Sequence, residues 1–287
     1  SNRNKKTMTR LLTTLFTGLL FSSAVSAQEV DKHEIFKKMM TTIDGIKTLS
    51  FKMSKTERIK GKMMPGSQDV KLNADPFMVY LKVYVPNEGA EVLYVEGQNK
   101  GNAKVNPGGW LPNVNLDPDG SILRKDQHHS VKQLGFEYTG DLLNHVYNKY
   151  KSKINDYVSI NGEITYDGRK CWNVTLTNKE YKIESYTVQA GEDILKISRK
   201  LRLDEYALLE LNGKRNFDDV KAGQTIKVPN SLCKKIEMYI DKETYLPLYQ
   251  KLFDEKGLMA TYEYTNLKIN PHFHADEFNA EFKDYDF

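Results

Sequence analysis

Few residues in this chain have the chemistry of a catalyst, and little of its charge is unbalanced. Among 287 residues there are two cysteines, Cys171 and Cys233. Neither sits where an activated nucleophile is found: Cys171 alternates with Trp172 inside a predicted strand and Cys233 opens the next. No G-x-S-x-G elbow and no phosphate-cradling glycine loop occurs, which removes the commonest signatures of acyl and phosphoryl transfer. The formal charge of +4 comes from Arg3, Lys5, Lys6 and Arg10, the only charged residues before Gln28; the rest holds 38 basic and 38 acidic side chains. Such a balance gives no sequence-wide electrostatic reason to bind nucleic acid. Long apolar runs are missing too. Leu11 to Phe21, broken by threonines, is too short to span a hydrocarbon core about 30 Å thick. With the basic residues before it and A-V-S-A ending at Ala27, it reads as a secretory signal peptide over residues 1–27. No cysteine follows to accept lipid, so the mature chain is expected to be soluble, periplasmic or secreted, and not membrane-spanning.

Aromatic residues are abundant, with 17 Tyr and 12 Phe, a balance that favours β-structure. Length predicts about two domains. Asp31 and Glu34 open a helix whose apolar face is Ile35, Phe36, Met39, Met40 and Ile43. From Leu49 the period becomes two, and a meander of antiparallel strands follows, punctuated at Pro65-Gly66, Asp75-Pro76, Pro86-Asn87 and Glu88-Gly89. Trp110 to Arg124 has little periodicity and is expected as loop. A helix is predicted over roughly Thr139 to Lys151, and strands resume at Tyr157–Ile160, Glu163–Tyr166, Cys171–Thr177, Lys235–Ile240, Leu246–Phe253 and Ala260–Leu267.

Between those strands lies a stretch with its own organisation. Tyr186–Val188 is a short strand broken by Gly191; Asp193 caps a helix carrying Ile194, Leu195, Ile197, Ser198 and Leu201. Asp204 caps a second helix, Asn212-Gly213 ends it, and Thr225–Val228 returns as a strand. This βααβ unit resembles the LysM module. Tyr186, Val188, Gly191, Ile194, Ile197, Leu208, Leu211, Asn212, Gly223, Gln224, Ile226, Val228 and Pro229 fill its fingerprint, while Asp193 stands where the family usually has Thr or Ser. The resemblance implies binding of peptidoglycan or another N-acetylglucosamine glycan. The implied groove lies between two loops, with Gly191, Glu192, Asp193, Ile194 and Leu195 on one and Asn212, Gly213, Asn216 and Val220 on the other.

The flanking strands carry G-R-K-C-W-N-V-T-L-T at 168–177 and I-E-M-Y-I-D-K-E-T-Y-L-P-L-Y-Q-K-L-F-D-E-K-G at 236–257. They resemble the LolA-like fold, and more closely a secreted bacterial domain family of unknown function that carries LysM at this point. The implied architecture is α+β: a curved antiparallel β-sheet, the LolA-like half-barrel, with packed helices, interrupted by a small LysM domain. Boundaries follow as signal peptide 1–27, LolA-like domain 28–180 plus 232–287, and LysM domain 181–231. If Cys171–Thr177 and Lys235–Ile240 form the hairpin that the module interrupts, Thr177 lies near Cys233 and Cys171 near Tyr239. The two cysteines are then roughly 20 Å apart and unbonded.

LysM often accompanies cell-wall hydrolases, so the histidines matter. Pro271-His272-Phe273-His274 is similar to the end of a LytM-type zinc site, but the upstream His and Asp motif is missing. Adjacent His128 and His129 point in different directions in helix or strand, a poor chelating pair, and are expected as surface or capping residues. Neither a metal nor a cofactor is expected. The leading reading is a non-catalytic envelope protein that binds peptidoglycan through LysM and a lipid, lipoprotein or protein partner through the LolA-like domain. The alternatives are a peptidoglycan-processing enzyme with an unrecognised site, or a purely structural envelope protein.

Overall fold

Asp31 starts the first helix through its carboxylate, which accepts hydrogen bonds from His33 N at 2.8 Å and Glu34 N at 3.3 Å and so satisfies free amides of the first turn. The computed structural model describes residues 30–287; the signal-peptide reading of residues 1–27 lies outside them. Helix α1 (Lys32–Asp44) buries Ile35, Phe36 and Met39. Six strands follow: β1 (Thr48–Ile59), β2 (Lys62–Asn73), β3 (Met78–Val85), β4 (Glu91–Val95), β5 (Ala103–Asn106) and β6 (Val114–Leu116). Then come α2 (Glu137–Tyr150), α3 (Ile154–Tyr157), β7 (Val158–Tyr166) and β8 (Arg169–Thr177). The inserted unit holds β9 (Ile183–Thr187), α4 (Ile194–Leu201), α5 (Glu205–Leu211) and β10 (Thr225–Pro229), and the chain finishes its sheet with β11 (Lys235–Asp241), β12 (Pro247–Asp254) and β13 (Gly257–Ile269).

Eleven of these strands form one antiparallel, unclosed sheet in the order β6-β5-β4-β3-β2-β1-β13-β12-β11-β8-β7. The chain walks outward from the middle, crosses to the opposite edge through its helices, and walks back until β13 pairs with β1. This is the α+β half-barrel, with the LysM domain set into it, that the resemblance implied. Leu143 of α2 packs toward the concave face beside Met53, Leu81 and Met259, and Phe36 of α1 stacks on Tyr147 of α2 at 5.4 Å. On the convex face the C-terminal segment covers β3 and β4, with Tyr285 stacked on Tyr80. Both faces of β4 are therefore covered, and every one of its residues is buried, Glu91 included.

Two local expectations need correction. The β1–β2 turn is at Lys60-Gly61, both with left-handed φ of +49° and +78°, and not at Pro65-Gly66, which lie inside β2. Because β3 pairs with β2 only from Ser67 onward, Pro65 lacks a neighbour on that side and its missing N–H breaks no ladder there. Residues 114–116, expected as loop, form β6, since Val114 lies directly opposite Val105 and extends an apolar row. Both cysteines are free. Thr177 faces Lys235 and Cys171 faces Asp241, two residues beyond the pairing with Cys233 and Tyr239 that was expected, because Cys233 lies past the end of the ladder.

Inside the LysM unit β9 and β10 pair antiparallel, and Val188, Ile194, Ile197, Leu208, Ile226 and Val228 make the core. Its ends are held together: Lys182 N donates to Asn230 Oδ1 at 3.1 Å and Asn230 N to Lys182 O at 3.0 Å. Beyond them Asn178 N donates to Lys234 O at 2.8 Å, continuing the β8–β11 hairpin into the insertion. The unit is also gripped by the tip of the β1–β2 hairpin. Ile59 enters its core, Arg58 pairs with Glu210 at 3.0 Å and with Asp254 of β12, and Gly61 N donates to Glu210 Oε1 at 2.7 Å.

Glu210→Ala removes two of those bonds from a closed seam and should lower stability by about 2–3 kcal/mol, read as a lower Tm. Replacing residues 184–230 by Asn-Gly rejoins β8 to β11 and returns Arg58 to water, where the lost partner matters less. The shortened chain should melt in one transition below the Tm of the intact protein; a broad, non-cooperative melt would show that the sheet needs the module to fold.

Candidate functional site

Two surfaces have the build of binding sites, one on the LysM unit and one inside the half-barrel. On the module, Gly191 takes φ of +77°, a conformation that strains residues with a Cβ, and turns the chain so that Glu192 folds back. Tyr186 Oη donates to both Glu192 oxygens at 2.8 and 2.9 Å, Gln189 N donates at 2.9 Å and Lys200 Nζ at 2.9 Å. The amide of Gln189 and then Lys200 hold the Glu192 carboxyl down to about 2. Asp193 caps α4 by accepting from Lys196 N at 2.7 Å. Ile194 N donates to Phe217 O at 2.8 Å, and that single bond joins the two loops singled out from sequence.

The second loop is closed by Asp219, whose Oδ2 accepts from Arg215 N and Asn216 N at 2.9 Å each. Asn212 exchanges hydrogen bonds with the backbone of Lys227, accepting at 2.7 Å and donating at 2.8 Å. Of the nine residues proposed for the groove, Gly191, Gly213 and Asn216 are exposed, Glu192, Asp193, Leu195 and Asn212 are half-buried, and the side chains of Ile194 and Val220 face the module core. Phe217, whose carbonyl ties the loops, had no signal in the sequence beyond its place in the loop.

The second surface is a cavity of about 100 Å³ between the concave face of the sheet, α2 and the segment 123–134. Met53, Leu81, Leu142, Leu143, Leu252 and Met259 give it apolar walls. One end is polar. Glu57, 1% exposed, accepts from Tyr262 Oη at 2.9 Å, Lys55 Nζ at 2.9 Å and His128 N at 3.2 Å. Burial alone would raise the Glu57 carboxyl, but Lys55 and then the two imidazoles outweigh it and hold it down to about 2. His129 Nε2 lies 3.0 Å from Tyr262 Oη, whose own proton goes to Glu57; burial pushes the His129 ring down to about 3, so it is neutral.

His128 and His129 are thus not surface residues. His128, 1% exposed, lies under the module with Nε2 2.9 Å from Arg58 O and Nδ1 3.0 Å from Asp204 Oδ2. Burial pushes the Asp204 carboxyl up. Asp204 comes from the N-cap of α5, so the module closes this end of the cavity. From its spacing Asp204 is expected only as a helix cap, a role it also has, accepting from Ala207 N at 2.7 Å.

The arrangement suits holding a ligand with an apolar body and a polar end better than bond-breaking. Ser130, beside the cavity, donates its hydroxyl proton to Pro118 O at 3.2 Å instead of to a base. Burial raises the thiols of Cys171 and Cys233 to about 11 and 12, away from thiolate. No group of three or more His, Cys, Asp or Glu placed to hold a metal occurs among the described residues. Nor is any helix among them long and apolar enough to cross a membrane.

The fold defines a half-barrel scaffold with an inserted LysM unit. The chain belongs to the family described as Protein of unknown function (DUF1571), whose family model matches residues 46–193, just over half of it. Residues 186–229 match the LysM domain. No curated protein matches the chain. Solved structures similar to it include a DUF1329 family protein from Desulfovibrio piger (12% identity, TM-score 0.34, 86% of this chain and 96% of that one). Others are the Mycobacterium tuberculosis lipoprotein LppX (12%, TM-score 0.38, 84% and 98%) and a putative outer membrane lipoprotein-sorting protein domain from Vibrio parahaemolyticus (10%, TM-score 0.34, 86% and 95%). Identities and TM-scores this low say nothing of ligand or activity.

Because the Glu57 carboxyl is lower folded, at about 2, than its ordinary 4.5, its stabilisation is complete above pH 4.5 and is lost as pH falls toward 2. Its share is at most about 3 kcal/mol. Asp204 works in the opposite sense, since a raised carboxyl gains from protonation. Glu57→Gln should therefore be less stable than the parent at pH 7 and should lose less on acidification, measured as Tm against pH; parallel Tm curves would show that Glu57 is not the charge that matters.

Proposed function

We propose that this protein is a non-catalytic, periplasmic cell-envelope protein whose LysM domain holds peptidoglycan glycan while its half-barrel takes a lipid, lipoprotein or protein partner. The observation that carries the glycan half is the division of the LysM surface. Contacts with the scaffold use Arg199 and Arg202 at the end of α4 and Asp204, Glu205, Tyr206 and Glu210 on or beside α5, whereas Gly191, Gly213 and Asn216 remain exposed on the other two loops. A module clamped through α5 and the end of α4 keeps these exposed loop residues free for the wall. One shallow groove needs little affinity in this role, because tethering raises the effective concentration of the scaffold near the wall.

For the scaffold, the apolar cavity with one polar end supports an acyl chain or a lipidated partner, with Lys55, Glu57 and Tyr262 meeting the polar part. At about 100 Å³ the cavity is below the usual ligand-pocket range of roughly 300–1,000 Å³, so such a ligand needs α2 or segment 123–134 to move outward. The same narrow space favours the structural reading if no ligand is found. A processing enzyme is supported by no nucleophile or metal cluster among the described residues, and release of muropeptides from purified sacculi tests it directly.

Purified sacculi should pull down the intact protein saturably, and Gly191→Trp, which sets a bulky side chain at a left-handed position in the groove, should bind several-fold less; Asn216→Trp repeats the test at an exposed position with ordinary backbone. Equal pull-down by all three proteins removes the glycan role. Native mass spectrometry of protein taken from membranes without detergent exchange should show an added mass in the lipid range; its absence removes the lipid reading of the cavity.

A further inference from the structure

The β5–β6 hairpin ends in an exposed tryptophan that belongs to neither candidate surface. Trp110 is 91% exposed, Leu111 47% and Val114 38%, and no charged residue occurs from Val105 to Leu116. The tip is a built feature. Gly108 and Gly109 both take left-handed φ, +87° and +66°; Asn106 Oδ1 accepts from Gly108 N at 2.9 Å, and Asn106 Nδ2 donates to Asp286 O at 3.0 Å. A Cβ on Gly108 would touch the Glu88–Ala90 backbone at 3.4 Å, so the loop leans on the neighbouring β3–β4 turn and presents Trp110 outward.

Strand register says what this tip adjoins. Leu81 pairs with Val92, Val92 with Val105, and Val105 with Val114, which places all four on one face of four adjacent strands. Leu81 and Val92 line the cavity. The apolar lining therefore continues strand by strand to the open edge of the sheet, next to Trp110. Indole prefers the boundary between water and hydrocarbon, where its ring is dry and its N–H stays wet. With no charge between residues 105 and 116, seating the tip at that boundary strips water from no ion.

We propose that the tip Trp110-Leu111 is a docking point for a phospholipid bilayer surface, and that the Leu81–Val92–Val105–Val114 row is the path by which an acyl chain passes between that surface and the cavity. The path rests on the lipid reading of the cavity; the docking does not. A tip with one tryptophan and one leucine binds reversibly, as a protein that must also leave the membrane requires. Because no lysine or arginine lies in the tip, docking is indifferent to lipid charge and to salt.

Trp172→Phe leaves Trp110 as the only tryptophan of the chain. Added to vesicles of phosphatidylcholine alone, or of phosphatidylethanolamine with phosphatidylglycerol, this protein should shift its emission to the blue and be quenched by brominated acyl chains, equally in low and high salt. In the parent background Trp110→Ser should lower co-sedimentation with either vesicle on the order of tenfold at an unchanged Tm, and Leu111→Ser should lower it less. Native mass spectrometry of the same samples separates the two readings. Lost docking with bound lipid retained in Trp110→Ser supports the docking point. No blue shift with vesicles overturns the proposal even if lipid is bound in the cavity, and so does co-sedimentation unaffected by Trp110→Ser or a shift that tracks self-association in place of lipid.

Discussion

Three consecutive residues at the end of β1 hold the parts of this molecule together. Glu57 anchors the polar end of the cavity, Arg58 joins the LysM helix α5 to β12, and Ile59 enters the LysM core. A buried guanidinium and a buried carboxylate are costly to take from water, and each is tolerable only with its partners in place. The partners of Arg58 come from two directions, Glu210 of the insertion and Asp254 of the sheet. The insertion is thereby held at a fixed place on the scaffold, where a hairpin loop alone would leave it free to swing.

The way the sheet is assembled makes that clamp available. β1 pairs with the last strand, β13, along most of its length, so the middle of the sheet closes only when both ends of the chain have met. The β1–β2 hairpin projects beyond β3, whose pairing stops at Ser67, and its free tip reaches the module. Chain continuity at the insertion is eased by the mutual bonds of Lys182 and Asn230, which keep the two crossing segments at the spacing of paired strands.

The same placement links the two candidate binding surfaces. Asp204 caps α5 within the module and also faces His128 at the wall of the cavity, while the loops joined by Ile194 and Phe217 lie on the module's other connections. Whatever displaces α5 disturbs the cavity end, and the loop at 212–220 reaches the same helix through Phe217, whose ring packs edge-on against Tyr206. Polar residues at the closed end and a continuous apolar row toward the open edge give the cavity a direction.

Read alone, the sequence showed most of the element types and the place of the LysM stretch in the chain, since both depend on local spacing. The helical recurrence after Asp193, the x-x-G-Q-x-I-x-V-P strand and the alternation of Leu49, Phe51 and Met53 are visible within a few residues. It also showed that a LysM stretch lies between strands of one sheet. What it left undecided was every feature that depends on distant residues meeting. Arg58 lies 152 residues from Glu210 and 196 from Asp254, so nothing near it in the chain marks it as buried; His128 and His129 looked like surface residues for the same reason. Pro65 passed for a turn because only the place of β3 reveals it as an edge position, and residues 114–116 became a strand only because Val105 lies opposite. Periodicity records which side chains avoid water, but the partner that makes a buried charge tolerable is chosen by the topology that brings it there.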